Sequence, residues 1–374
     1  MLPARLYNLD FSRGLAALCV VIFHWQSFFF EQYELPATFD RTTQPLYQWL
    51  RPLYERGGYL AVSFFFILSG FVFFWLYHQN IRDRQCSFYQ FAALRLARLY
   101  PLHAATLLLV LALQVVYFSR NNESFVYPYN DGYHFVLQTF FVSNWGFERG
   151  YSFNAPIWSV SIEIGLYVLF FAFAFLRGNT AVKLVGIVLT TVLLMGLGLS
   201  DRWAPAILAF FMGGLTYECL VKYLQLRSKT LDIIVVSTAL ALWLGISISD
   251  RVAQLLLTQG MHVLVLYPFT IVALVLMELE FPHLGKRFAW IGDITYSSYL
   301  LHFPLQLGFV LCATKIGYDK SLFLSPGVFL AFFATLIALS VASFHMFERP
   351  AQRFLRSVFL PKQPGARSTA QASK

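Results

Sequence analysis

The sequence predicts an all-α, polytopic membrane protein of about ten transmembrane helices, and three observations carry that prediction. Hydrophobic residues make up 58% of the 374 residues and charged residues 13%, against roughly 25% charged in a typical soluble chain. Mean hydropathy is +0.59, and the 40 Phe, 20 Tyr and 8 Trp suit lipid-facing helices and interfacial belts. Apolar segments run nearly end to end, each close to the length that crosses a bilayer.

In order, the segments cover roughly residues 11–30, 59–77, 99–118, 157–175, 180–199, 204–221, 232–248, 261–279, 293–313 and 326–346. The first is preceded by Arg5 and Arg13, as a signal peptide would be. Its apolar run is long, however, and Glu31-Gln32-Tyr33-Glu34 follows without a small-residue cleavage site, so it is read as a helix. Residues 134–147 are apolar but too short to span, and are expected to form a re-entrant or interfacial piece leading into the fourth segment. With both termini in the cytoplasm, 19 of the 28 Lys and Arg fall on the inner side, a two-to-one bias of the positive-inside kind. Residues 1–346 are expected to form one membrane domain. Residues 347–374 form a polar cytoplasmic tail, largely disordered.

A net charge of +9 raises the question of nucleic acid. The basic residues form no compact patch interleaved with aromatics, so nucleic acid is not an expected partner. Cys19, Cys86, Cys219 and Cys312 are scattered without CxxC or metal-ligand spacing, which predicts neither a disulfide framework nor a metal site. There is no nucleophile elbow, Walker loop, Rossmann glycine pattern or HExxH.

Charged groups inside membrane helices are costly, so each is a functional candidate. Arg13 and His24 are eleven positions apart in the first segment, a rise of about 16 Å with both within about 20° of one face. A guanidinium at the headgroups suits phosphate, and a buried imidazole suits proton transfer. Alternatively, Arg13 snorkels as a topogenic charge and His24 makes an ordinary polar contact. Arg95 and Arg98, three apart in RLARLYP, share a helix face at the mouth of the third segment. Alone they read as topogenic arginines, like Arg82 and Arg84; converging with Arg13 they would form a site for a polyphosphate ligand. Glu163, in PIWSVSIEIGLY, is a proton acceptor, a partner for His24, or a structural carboxylate satisfied by a neighbouring helix. Supporting candidates are Ser69 beside Gly70 in the second segment, Trp158 and Ser159 at the outer interface, and Tyr167 four residues beyond Glu163. Tyr299 and His302 complete the set, with His302 read as a structural contact.

Taken together, SRGLAALCVVIFHW, ILSGF, the Arg95/Arg98 pair, WSVSIEIGLY, TYSSYLLHFP and the closing FERP resemble, in content and order, the acyltransferase 3 family of bacterial membrane O-acyltransferases. The resemblance spans nearly the whole chain. It implies ten helices in the bacterial cytoplasmic (inner) membrane. It also implies transfer of an acyl group, usually acetyl from acetyl-CoA, to a hydroxyl of a cell-envelope or secreted glycan or glycolipid. Some members carry a fused extracytoplasmic SGNH-type domain; this chain reads as the stand-alone type, which leaves room for a separate extracytoplasmic partner. On this reading His24 and Glu163 are catalytic and Arg13, Arg95 and Arg98 hold the phosphates of acyl-CoA. The acceptor pocket is expected on loops 31–58 and 119–156. A transporter with a mid-membrane polar site is the competing class; no inverted repeat supports it.

Overall fold

Every long apolar run of the sequence is a helix in the computed structural model, which describes residues 2–360 except Ser200, Thr258, Gln259 and His283. In chain order the main helices are α1 (Tyr7–His24), α2 (Gly58–Phe73), α3 (Phe88–Asn121) and the short α4 (Gly132–Thr139). They continue with α5 (Trp158–Phe175), α6 (Thr180–Gly196), α7 (Trp203–Gln225) and α8 (Lys229–Ile248), then α9 (Tyr267–Glu280), α10 (Thr295–Lys315), α11 (Pro326–Ser343) and α12 (Arg349–Phe359). No strand forms among the described residues. Helices satisfy their backbone within one segment, which is what hydrocarbon demands.

Each of the ten predicted segments falls on one of these helices, and the all-α polytopic class is the observed one. Among the described residues, seven helices, taken with their continuous extensions, are long and apolar enough to cross a membrane. The three long segments outside that group have different physical reasons. α6 is apolar but has 17 residues. α1 and α10 are long enough but diluted, by Asn8, Asp10, Arg13 and His24 in one and by Ser297, Ser298, His302 and Gln306 in the other. These two polar helices pack against each other, and both serve the site described below.

Several boundaries differ from the sequence expectation. The α2 helix is part of a continuous 36-residue helical stretch, Tyr47–Arg82, with π-turns at Leu53–Gly57 and Phe74–His78. The second half of the supposed loop 31–58 is therefore helical. α3 starts eleven residues before position 99, because Ser87 and Gln90 form a reciprocal capping box there. Arg95 and Arg98 thus sit inside α3. The 134–147 piece is helical only as far as Thr139; Asp131 caps α4 by accepting from the His134 amide at 2.8 Å. The tail expectation needs correction. α11 runs through a π-turn at Phe344–Glu348 into α12, which packs along α3, so order continues to Phe359. Residues 361–374 lie outside the described residues.

The tightest seam is α2 against α7. A Cβ at Gly70 would collide with the Phe210 carbonyl, and one at Gly213 with that of Ile67, so the absence of side chains there sets the helix separation. Burial grades outward from this seam: 61% of the apolar window of α5 is enclosed, against 6% for α8. α5 is thus walled by protein and α8 is left for lipid.

Candidate active site

α1 begins in a charge network. Its early Asn8 amide donates to the buried Glu278 carboxylate of α9 at 2.6 Å, which offsets the positive end of the helix. One turn on, Asp10 accepts from both Arg5 and Arg13, and Arg5 also reaches Asp293 at 2.7 Å. Arg13 makes its bonds through one terminal nitrogen, to Asp10 at 3.1 Å and the Gly292 carbonyl at 3.3 Å. Its Nε is buried without a hydrogen-bond partner among the described residues.

Arg13 faces a cavity of about 140 Å³ walled by α1, α2, α3, α5 and α10, many times the space that one water needs. Arg95 and Arg98 of α3 line the same cavity, so the predicted convergence of the three arginines is what the helices produce. The Arg95 guanidinium lies 4.7 Å from the Phe73 ring centre and 4.5 Å from that of Tyr77, and it donates to the Tyr77 hydroxyl. Its Nε is also buried and unpartnered among the described residues. Neither Arg95 nor Arg98 has a carboxylate within ion-pair distance among the described residues.

Glu163 and Tyr167 of α5 line the cavity too, with Ser69 opposite. Ser69 donates to Glu163 at 2.6 Å, which gives Ser69 a role beside the packing role of Gly70. Tyr167 stacks on Phe73 with ring centres 4.6 Å apart. Trp158 does not line the cavity and is partly buried against the core.

One turn before Glu163, Ser159 meets Tyr299 of α10, oxygen to oxygen, at 2.7 Å. Tyr299 also reaches the Pro156 carbonyl at 2.7 Å. A carbonyl only accepts, so the phenol proton points to Pro156 and Ser159 donates to the phenol. This contact clamps α5 to α10. A second clamp lies beside it. Pro304 lacks the amide proton that would bond the Leu300 carbonyl, and the fully buried Asn154 side chain supplies a replacement at 3.0 Å.

His24 closes α1, and its ring partner is His302, not Glu163: His24 Nδ1 and His302 Nε2 lie 2.7 Å apart. The expected His24–Glu163 partnership is thus replaced by two separate pairs, His24 with His302 and Glu163 with Ser69. The tautomers follow by elimination. His302 Nδ1 is 2.6 Å from the Tyr299 carbonyl, so it carries a proton; in the neutral ring Nε2 then accepts. His24 must therefore donate from Nδ1, which leaves the lone pair of His24 on Nε2. The last carbonyl of α1 accepts from Gln306 at 2.8 Å, and the buried Trp25 donates to the Phe323 carbonyl at 3.1 Å. His24 is held by its ring, its own carbonyl and the residue after it. It lies beyond the cavity wall formed by Tyr299, on whose carbonyl His302 rests.

Sequence reasoning missed Asp10, Asn154 and Gln306. Only Gln306 left a readable trace, since Tyr299, His302 and Gln306 fall at i, i+3 and i+7 on one face of an apolar helix.

Fold and site together define a polytopic helical membrane protein that encloses an arginine-lined polar cavity. Residues 6–345 match the acyltransferase domain family, and the chain belongs to that family, acyltransferase 3. It is 34% identical over 173 residues to the acyltransferase MdmB of Streptomyces mycarofaciens, covering 44% of this chain and 38% of that one. It is 35% identical over 116 residues to protein 2 of the picA locus of Rhizobium radiobacter, covering 31% of this chain and 47% of that one. The matched stretches thus span less than half of either relative. No solved structure matches.

Proposed function

We propose that this protein is a bacterial inner-membrane O-acyltransferase. On this reading it moves an acyl group, acetyl foremost, from acyl-CoA to a hydroxyl of an envelope or secreted glycan. The observation that carries the reading is a cavity with arginines lacking carboxylate partners in its wall and a tautomer-defined histidine pair just beyond it, in a chain of an acyltransferase family.

Acyl-CoA supplies several phosphates and a thioester at the end of a thin pantetheine arm. Arg13, Arg95 and Arg98 offer donors with spare hydrogen-bonding capacity, as phosphate recognition requires. An extended pantetheine is comparable in length to the roughly 16 Å rise from Arg13 to His24. The thioester would then arrive near Glu163, Ser159 and Tyr299, with the acceptor entering from the opposite side of the membrane. His24 Nε2 takes the proton of the acceptor hydroxyl as its oxygen attacks the thioester carbonyl. The C–S bond breaks, and the departing thiolate recovers that proton from the imidazolium. His302 keeps His24 in the tautomer whose outer nitrogen is basic, and Glu163 orients the reacting groups at the cavity wall.

The decisive experiment is acetyl transfer by protein in nanodiscs, paired with mass spectrometry of glycans from a deletion strain and its parent. Acetyl-CoA turnover and loss of one acyl substituent in the deletion strain are expected. Unchanged glycans together with no acetyl-CoA turnover would overturn the reading.

A further inference from the structure

The last described helix, α12, packs along α3 and carries a fourth arginine. α12 is a strongly two-faced helix: Arg353, Phe354, Ser357, Val358 and Phe359 are exposed, while Ala351, Gln352, Leu355 and Arg356 turn inward. Its entry is fixed by Glu348, which accepts from Ser297 of α10 and, at 3.3 Å, from Ser343. Arg349 and Arg356 are the charged residues of the half-buried face, and Arg356 lies where α12 packs along α3, within electrostatic reach of Arg95 and Arg98 and of Tyr77 in the π-turn after α2. Its Nε is buried and, among the described residues, has no hydrogen-bond partner, the condition also found at Arg95 and Arg13.

That placement gathers like charges in partial burial. Three guanidiniums lie within electrostatic reach of one another, and no carboxylate pairs with any of the three among the described residues. Residues 361–374 contain no Asp or Glu that could pair with them. Glu348, at the entry to α12, is engaged by two serines. Like charges held together in partial burial call for an anion with more than one negative charge.

Resting on the donor reading above, we infer that Arg356 binds a phosphate of the nucleotide end of acyl-CoA beside Arg95 and Arg98, so that α12 forms one wall of the donor site. Anionic lipid headgroups share this phosphate chemistry, and the test separates the two. Acetyl-CoA affinity is measured on full-length protein in phosphatidylcholine nanodiscs, with and without phosphatidylglycerol, for wild type, R356A, R356K, R353A and the R95A/R98A pair. R356A is expected to weaken acetyl-CoA binding about tenfold or more in the neutral lipid, the scale of a lost charge-assisted hydrogen bond. R356K recovers part of that loss and R353A none is needed, since its affinity stays at the wild-type value. Adenosine 3′,5′-bisphosphate competes less well against R356A, whereas S-acetylpantetheine, which has no phosphate, is used equally by both. Melting curves confirm that the variants are folded, and R356K carries the test should R356A unfold. If R95A/R98A lose affinity and R356A and R356K do not, the inference fails and the donor reading stands. If R356A matters only when phosphatidylglycerol is present, the site is a lipid site and the inference fails. If none of the arginine variants changes affinity, the donor reading itself is wrong.

Discussion

The two ends of the site are built on opposite principles. At the arginine end, Arg13, Arg95 and Arg356 each leave a buried Nε without a partner, and Arg98 faces the cavity with no ion pair among the described residues. At the histidine end the donors of His24, Tyr299, Ser159, Asn154 and Gln306 and both ring nitrogens of His302 are engaged in hydrogen bonds between 2.6 and 3.0 Å, and what is left over among the described residues is the amide oxygens of Asn154 and Gln306. Unfilled donors mark a place where something must arrive; filled ones mark a geometry fixed beforehand. On the proposed function, binding and bond-making are divided between two regions of one bundle, and substitutions in them should fail differently.

The largest expected effect comes from His24→Ala, which should lower acetyl transfer by about a hundred- to ten-thousandfold, the range for loss of a general base, with acetyl-CoA affinity nearly unchanged. Turnover and affinity measured on the same nanodisc preparation check this, and undiminished transfer would break the division. Next, the R95A/R98A pair should raise KM for acetyl-CoA by about a hundredfold, from two lost charge-assisted contacts, while kcat moves little. A fall in kcat alone would assign those arginines to chemistry instead. His302→Gln should lower kcat by about tenfold, since the glutamine amide can occupy the space without enforcing one His24 tautomer. A KM effect without a kcat effect would contradict that. The smallest change in activity per folded molecule belongs to Gly70→Ala. It should cost about 1–3 kcal/mol of stability through overpacking, visible as a lower melting temperature.

How much of this was legible beforehand depends on what each residue declares by its own position. The ten helices are readable because an apolar run long enough to cross a bilayer has few other uses, and Arg13, Arg95 and Arg98 are readable because charge in such runs is conspicuous. Pairing between distant segments is not readable. His24 and Glu163 looked like partners because each was a polar group in its own helix, yet the bundle turns them to different neighbours. Ser69 seemed a packing residue because it precedes Gly70, and its hydroxyl finds Glu163 only once α2 and α5 are side by side. Arg356 was concealed by its setting: a basic, polar ending reads as solvated tail, and only the continuous helix through Glu348 turns one face of it inward. α1 and α10 are less apolar than the other long helices because the side chains that dilute them line or support the candidate site.

The proline in α10 has a consequence for motion. Because Pro304 has no amide hydrogen, the Leu300 carbonyl lacks its usual donor four residues on, and release of Asn154 would remove the replacement at a penalty of about 1–3 kcal/mol. The segment that precedes α5 and the helix that bears His302 are therefore coupled as one mechanical unit. Any displacement of the first would be felt, through a single amide, at the imidazole pair.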